Sequence, residues 1–176
     1  MRALPAKTRE KEKIAPRPKN SIFVWIIPVV FFLDRILKSI VIKNYPEGDG
    51  FAIVPGVFHV TRVNNTGAAF GMLKGYGGLL ILVSTGCVLL LATHFFRHIF
   101  LNFRQAKTTS YAIGLTPIAW SLIIAGAAGN LYDRLRYGYV IDFLDFRIWP
   151  VFNIADGSIC LGVFLIAASF LKNKKI

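Results

Sequence analysis

The sequence predicts an α-helical membrane protein with four transmembrane helices and a small extracytoplasmic β-sheet. Hydrophobic residues make up 55% of its 176 residues and the mean hydropathy is +0.54. A soluble domain of this length could not bury so much apolar surface. Four apolar segments are long enough to cross a bilayer. Lys and Arg residues are concentrated in alternate connections between these segments, as is typical of proteins that cross a membrane several times.

The first twenty residues are predicted to be a disordered basic tail, so that the folded domain covers residues 21–176. The tail contains seven Lys or Arg and three Pro, a composition typical of segments that form no core and lie near an anionic leaflet. The net charge of +12 would also suit a nucleic-acid-binding protein. However, the basic residues lie at the ends of apolar segments and no nucleic-acid motif occurs. Membrane lipids are therefore the expected partners, and nucleic acid is not.

The predicted spans cover residues 22–42, 78–98, 111–131 and 152–171. At about 1.5 Å of helix rise per residue, each can cross a hydrocarbon core of about 30 Å. The first span also resembles a secretory signal, but no small-x-small cleavage site follows Leu33, so an uncleaved helix is expected. Charged residues interrupt this span. We expect Asp34 to face the interior of the bundle and Lys38 to extend its ammonium group to the interface.

The distribution of positive charge predicts the orientation. The two tails and the connection between spans two and three hold 13 Lys or Arg, whereas the other two connections hold six. Because the richer side is normally cytoplasmic, both termini are predicted there, and the segments 43–77 and 132–151 are predicted outside. In the first of these segments, VFHVTRV alternates like a strand and NNTG has the composition of a turn. These features predict a small sheet on the membrane surface.

Two aspartates stand out as candidate catalytic residues. Asp156 lies in the fourth predicted span, and Asn153 precedes it by three residues on the same helical face. A carboxyl group in a spanning helix is costly and therefore a functional candidate. Asp142 is flanked by Val, Ile, Phe and Leu residues. If the two carboxyls met, they would share a proton and could hold and activate a water molecule. Alternatively, each could be paired separately with Arg134 or Arg136.

A second polar cluster lies at the end of the third span. Asn130 and Arg134 would be neighbours on a helix, and Arg134 could order a carboxylate or a peptide carbonyl. Asp133 could belong to this cluster or could form an ion pair with a nearby arginine. Gly126 would let another helix or a substrate approach closely.

Metal chemistry is not expected. His94 and His98 have the spacing of a zinc-binding pair, but no Glu accompanies them and they lie beside Arg97 at the cytoplasmic end of span two. An interfacial placement explains them better.

The residues leave two other classes of function open. A proton-linked transporter would use Asp34, Asp133 and Asp156 as relay sites at different membrane depths. A structural subunit would use its polar residues only to hold helices together. Most carboxyls are predicted to gather at one interface, which favours hydrolysis.

Five motifs together resemble the lipoprotein signal peptidase family, also called signal peptidase II. They are LDRILK (33–38), NNTGAAFG (64–71), GAAGNLYDR (126–134), GYVIDF (138–143) and FNIADGSICLG (152–162). They occur in the family's order over most of the chain beyond residue 20. The resemblance implies an aspartic endopeptidase of the bacterial inner membrane. Such an enzyme removes the signal peptide of diacylglyceryl-modified prolipoproteins by cutting just before the lipidated Cys.

The resemblance also implies roles for individual residues. It makes Asp142 and Asp156 the catalytic pair and gives polar positions around the active site to Asn65, Asn130, Arg134 and Asn153. Asp34 would support structure near the site, and Gly126 would lie near the substrate. The family implies no metal and no cofactor, and a single four-helix chain suffices, so a monomer is expected. Two features depart from a simple match to the family. The interval between Asp142 and Asp156 is short, and a further carboxyl group, Asp145, lies close to Asp142.

Overall fold

The computed structural model describes residues 22–67, 75–105 and 115–173. Within these ranges it contains four long helices, which are α1 (Ile26–Asn44), α2 (Gly77–Gln105), α3 (Leu115–Tyr137) and α4 (Ile154–Asn173). A three-stranded antiparallel sheet comprises β1 (Gly50–Val54), β2 (Phe58–Asn65) and β3 (Val140–Asp145). The predicted basic tail, residues 1–20, lies outside the described residues and stays a prediction.

Three of the helices are long and apolar enough to cross a membrane. The qualifying segments are Gly77–Arg97, Leu115–Tyr137 and Ile154–Leu171, with mean hydropathies of 2.2, 1.2 and 2.0. The expected helical membrane class with a small sheet is therefore confirmed. Helix α1 contains four charged residues, so its composition does not qualify by the same criterion. A fourth span remains a prediction.

Helix α1 has its polar residues inside and its apolar residues outside. Val29, Phe32, Ile36 and Ile40 recur every three or four residues and are all exposed, so they form one outward-facing stripe. Asp34 is buried, as expected. Lys38 is also completely buried, so the expectation that it reaches the interface is wrong. Its ammonium group lies between carboxylates inside the bundle, and this pairing offsets the cost of removing the charge from water.

Close approach of α3 and α4 depends on small residues. A Cβ atom at Gly126 would lie 2.2 Å from the carbonyl oxygen of Ala155 and 2.4 Å from Ser158 Oγ. Ser158 Oγ in turn donates a hydrogen bond of 3.2 Å to the carbonyl of Leu122. The first turns of α4 are thereby held directly against the C-terminal half of α3.

The substitution Gly126→Ala is expected to destabilise the fold by about 1–3 kcal/mol, because the added methyl group must push the two helix backbones apart. The midpoint of thermal unfolding in detergent micelles measures this effect. Gly86→Ala, in α2, is the matched control, because nothing lies within 4 Å of a Cβ atom at that position. Equal unfolding midpoints for the two variants would contradict the proposed close contact.

The sheet places β3 at one edge, with β2 between β1 and β3. The predicted strand is confirmed within β2, although Asn64 and Asn65 complete the strand instead of forming the predicted turn. The turn begins where Asn65 Oδ1 accepts a hydrogen bond of 2.9 Å from the Gly67 backbone. Strand β3 was not predicted, because it is buried almost throughout and lacks the alternation of a half-exposed strand.

The chain returns from β3 to α4 through a short connection. The carbonyl of Phe152 accepts hydrogen bonds from the backbones of Phe143 (2.9 Å) and Leu144 (2.7 Å). Phe152 also stacks on Phe146, with ring centroids 5.9 Å apart. Helix α4 therefore begins next to the strand that carries Asp142, which explains how so short an interval brings Asp142 and Asp156 to the same region.

Candidate active site

Asp142 lies in the middle of β3 and is held by two amide groups. Its Oδ2 accepts a hydrogen bond of 2.9 Å from Asn65 Nδ2, and its Oδ1 accepts one of 2.7 Å from Asn153 Nδ2. Asn65 reaches it because β2 and β3 are paired, with Val63 opposite Asp142. The residue is only 2% exposed. Its carboxyl group is therefore oriented by neutral donors in a nearly dry environment.

Asp156 lies in the first turn of α4. Asn153, just before the helix, accepts a hydrogen bond of 2.8 Å from the Asp156 backbone through its Oδ1 and so caps the helix. The Asp156 side chain accepts a hydrogen bond of 2.7 Å at Oδ1 from Asn130 Nδ2, which comes from α3. Its second oxygen, Oδ2, makes no hydrogen bond to any other residue in the described part of the chain. That oxygen is available to a water molecule or a substrate.

Two asparagines join the aspartates into one network. The amide nitrogen of Asn153, which donates to Asp142, lies 3.2 Å from Asn130 Oδ1, and Asn130 donates to Asp156. Asn153 is completely buried. Neither aspartate forms a salt bridge with a described residue. Within the described residues, Asp142 and Asp156 therefore do not form separate ion pairs with Arg134 or Arg136.

Burial raises the pKa of Asp142 to about 7, and the nearby negative charge of Asp156 adds to this increase. Hydrogen bonds from Asn65 and Asn153 act in the opposite direction, because they favour the carboxylate. Asp142 therefore keeps a proton up to neutral pH. A carboxylic acid near a second carboxyl group is one arrangement that can carry out general acid–base catalysis.

Arg134 lies one helical turn after Asn130, as its spacing predicted. Its Nη2 donates to the backbone carbonyl of Gly67 at 3.3 Å. This contact ties the chain that leaves β2 to α3. The guanidinium also interacts electrostatically with both aspartates. Arg134 thus holds a backbone carbonyl of the protein itself and contributes positive charge near Asp142 and Asp156.

Asp34 and Asp133 are parts of a buried ion cluster beneath the site. Arg35 forms ion pairs with both carboxylates, and Lys38 Nζ lies 3.0 Å from Asp34 Oδ2 and 2.7 Å from Asp133 Oδ2. Asp133 also accepts a hydrogen bond of 3.2 Å from the Ile141 backbone. Of the two alternatives for Asp133, the ion pair with an arginine is therefore the one that the structure shows, although it lies in the interior and not at the interface.

Asp34 also contributes to the start of α4. Its Oδ1 accepts a hydrogen bond of 3.1 Å from the Ala155 backbone. A Cβ atom at Gly129 would lie 3.0 Å from Asp34 Oδ2. The glycine thus leaves the room that Asp34 needs to reach α4.

Sequence reasoning missed Lys38 as a site residue. It lies 3.2 Å from Asn130 Oδ1, the same amide that serves Asp156. The signal available in the sequence was its position four residues after Asp34, which places both side chains on the face of α1 that faces inward.

Asp145 belongs to a different contact set from Asp142. An offset of three residues along a strand directs the two side chains to opposite faces. Asp145 accepts hydrogen bonds of 2.9 Å from both Thr61 Oγ1 and the Arg147 backbone. Arg147 has a positive φ of 63° and donates to His59 Nδ1 at 3.0 Å. Asp145 thus stabilises the turn after β3.

Among the described residues, no group of three or more His, Cys, Asp or Glu side chains is arranged to hold a metal ion. His94 lies against Trp120, with ring centroids 5.5 Å apart. The side chain of His98 is outside the described part of the molecule.

The chain matches one protein family and several of its relatives. The sequence model of the family described as signal peptidase (SPase) II matches residues 26–172. A lipoprotein signal peptidase from Halothermothrix orenii is 36% identical over 151 residues, which are 86% of this chain and 96% of that protein. A lipoprotein signal peptidase from Nostoc punctiforme is 41% identical over 160 residues, covering 89% and 94% of the two chains.

Solved structures agree with the sequence matches. A bacterial membrane enzyme determined by the in meso method at 2.3 Å resolution shares 32% sequence identity with this chain, with a TM-score of 0.74. The match covers 87% of this chain and 89% of that one.

Proposed function

The chain belongs to the signal peptidase II family, whose members are aspartic proteases that remove signal peptides from prolipoproteins, and we propose that Asp142 and Asp156 are the pair that catalyses this cleavage. The proposed substrates are diacylglyceryl-modified prolipoproteins, cut just before the lipidated Cys. The observation that carries the proposal is the network through Asn153 and Asn130, which supplies an amide donor to each aspartate from a different element.

The proposed reaction uses one water molecule and one shared proton. Asp156, whose Oδ2 makes no hydrogen bond to the described protein, acts as the base on the water. Asp142, in its protonated form, polarises the scissile carbonyl as the water attacks it. A proton from the pair is then transferred to the leaving amine. The amides of Asn65, Asn130 and Asn153 keep the carboxyl groups in place.

A proton-linked transporter is less well supported. Its relay would need Asp34 and Asp133 to exchange protons, but both are paired with Arg35 and Lys38 in a buried cluster. Both side chains are also completely buried, whereas the carboxyl groups of a proton relay need contact with a water-filled path.

The test is cleavage of a lipidated substrate by the purified enzyme in detergent. We expect a synthetic prolipoprotein peptide with diacylglyceryl-modified Cys to give a product whose mass places the cut just before that Cys. The matched control is the same peptide without the lipid, which should be a much poorer substrate. Proton flux into liposomes without peptide cleavage would instead support a transporter.

The pH dependence of kcat/KM is expected to report the shared proton. Above about pH 7, Asp142 loses its proton and both members of the pair become charged. Rate should then fall about tenfold per pH unit, as for a single ionisation. The measurement is kcat/KM between pH 5 and 9 on the lipidated peptide. A rate that stays constant to pH 9 would exclude Asp142 as the proton donor.

The same raised pKa should affect stability. Between the ordinary aspartate pKa of 3.8 and about 7, the folded protein holds a proton that the unfolded chain releases. The contribution of Asp142 to stability should therefore be greatest below pH 3.8 and should be lost as pH rises through this window. Asp142→Asn should lack this component of the pH dependence.

The proposed setting is the bacterial inner membrane, with α1 as a fourth span, both termini cytoplasmic and the sheet at the outer surface. The outward apolar stripe of α1 supports a fourth span. The exposed apolar side chains of Ile53, Val57, Ile148 and Trp149 give the sheet region a surface suited to the headgroup boundary. Labelling of Glu47→Cys by a membrane-impermeant maleimide in intact spheroplasts tests the orientation, and protection of that position would contradict it.

The enzyme is proposed to act as a monomer, which light scattering of the detergent complex can check.

A further inference from the structure

Lys38 is a buried cation whose hydrogen-bonding capacity is fully used. Its side chain is completely buried on the inward face of α1. The ammonium group has three N–H donors and no acceptor, and it has three partners. They are Asp34 Oδ2 at 3.0 Å, Asp133 Oδ2 at 2.7 Å and Asn130 Oδ1 at 3.2 Å.

Charge pairing accounts for only two of these three contacts. Asp34 and Asp133 carry two negative charges, and Lys38 and Arg35 carry two positive charges, so the cluster is neutral as a whole. The third contact of Lys38 is with a neutral amide, that of Asn130. This contact leads out of the ion cluster and towards the aspartate pair.

Lys38 and Asn153 together determine which way the Asn130 amide faces. An amide can present either an acceptor oxygen or a donor NH2 group on a given side. Both groups on the Oδ1 side, Lys38 Nζ and the NH2 of Asn153, are donors. If the amide were reversed, its NH2 group would face two other donors, the Asn153 NH2 group and the positively charged ammonium group of Lys38. The NH2 group of Asn130 is therefore directed to Asp156 Oδ1, at 2.7 Å.

We propose that Lys38 is a positioning residue of the catalytic pair, which acts on Asp156 through the orientation of the Asn130 amide. This inference rests on the proposed function, since it assigns Asp156 a catalytic role. Lys38 itself touches neither substrate nor water in the reaction. Replacing Lys38 is therefore expected to lower turnover even in a variant whose buried cluster is again neutral and whose stability is restored.

The first test is Lys38→Met, which keeps an unbranched side chain one atom shorter but removes the charge and the donors. With the lipidated peptide we expect kcat to fall by about 10²-fold, as for a small misplacement of a catalytic group, and KM to change less than about threefold. Lys43→Met, at an exposed position of the same helix, is the matched control and should retain wild-type kinetics.

The second test removes the charge imbalance that Lys38→Met creates. The double variant Lys38→Met with Asp34→Asn again balances the cluster, through Arg35 and Asp133, and keeps an oxygen for the Ala155 backbone. We expect its unfolding midpoint to return close to that of the wild type, whereas kcat stays low. Recovery of kcat together with stability would overturn the proposal, because Lys38 would then have a structural role only.

A double-mutant cycle identifies the route of the effect. Asn130→Leu should lower kcat strongly in the wild type but by less than about threefold in the charge-balanced Lys38→Met variant, because the Asn130 amide has already lost there the charged donor that helps to orient it. Full additivity would overturn the proposal. Failure of the wild-type enzyme to cut the lipidated peptide would instead refute the proposed function. Cleavage that depends on Asp156 but not on Lys38 would refute this inference alone.

Discussion

Replacing either Asp142 or Asp156 with Asn is expected to lower kcat for the lipidated peptide by about 10⁴-fold or more, because the pair can then no longer share a proton across the water. Asp156→Asn is the cleaner of the two changes. Asp156 accepts a protein hydrogen bond at Oδ1, and its Oδ2 is free of other described residues. An asparagine can therefore keep the bond from Asn130 and place its NH2 group at the free position. The unfolding midpoint should change little.

Asp142→Asn introduces a donor where two donors already converge. Both oxygens of Asp142 accept from amide groups, those of Asn65 and Asn153, so one of these hydrogen bonds must be lost. We expect a destabilisation of about 1–3 kcal/mol at acidic pH in addition to the loss of turnover. Its unfolding should therefore be measured alongside its kinetics.

Asp145→Asn is the matched control for both variants. It lies on the same strand three residues later and contacts Thr61 and Arg147 instead of the asparagine network. Turnover within a few-fold of the wild type is expected. Substantial residual cleavage by Asp142→Asn or Asp156→Asn would show that the pair is wrongly assigned. Equal loss in Asp145→Asn would point to a general effect of the strand.

Asp133→Ala is expected to destabilise the fold by about 3–5 kcal/mol, which is the largest effect on stability that the structure predicts. The change removes the carboxylate that pairs with both Arg35 and Lys38 and accepts from the Ile141 backbone. It would leave buried cations without an adequate counter-charge, which costs more than the pair itself contributes. Unfolding by titration with a denaturing detergent measures the loss, and Asp49→Ala, at an exposed loop position, is the control.

A second variant distinguishes charge imbalance from lost packing. In Asp133→Leu combined with Lys38→Met, both the negative and the positive partner are replaced by apolar groups. We expect this double variant to be less destabilised than the sum of its two single variants, because no unpaired charge from the Lys38–Asp133 pair remains. An additive result would mean that the two side chains do not interact as the distance of 2.7 Å between them indicates.

The helical membrane class and the candidate residues could be predicted because they depend on local features of the chain. The apolar segments of α2, α3 and α4 are visible as runs of hydrophobic residues. A carboxyl group in such a run is a functional candidate whether or not its partners in the fold are known. The spacing of Asn153 and Asp156 on one helical turn likewise needed no tertiary information. The resemblance to lipoprotein signal peptidases then gave each residue an expected role.

The contacts that turn those residues into a site depend on the tertiary structure. Lys38 resembles an interfacial lysine in sequence. Only the approach of Asp133, which is far away along the chain, offsets the cost of burying its charge. Strand β3 lacked a periodic signal because both of its faces are covered. Asn153 can join Asp142 to Asn130 only because the chain pairs Phe152 with Leu144 before α4 begins. Sequence patterns report which groups are costly to bury, whereas the free energy that offsets this cost comes from partners that the folded chain brings together.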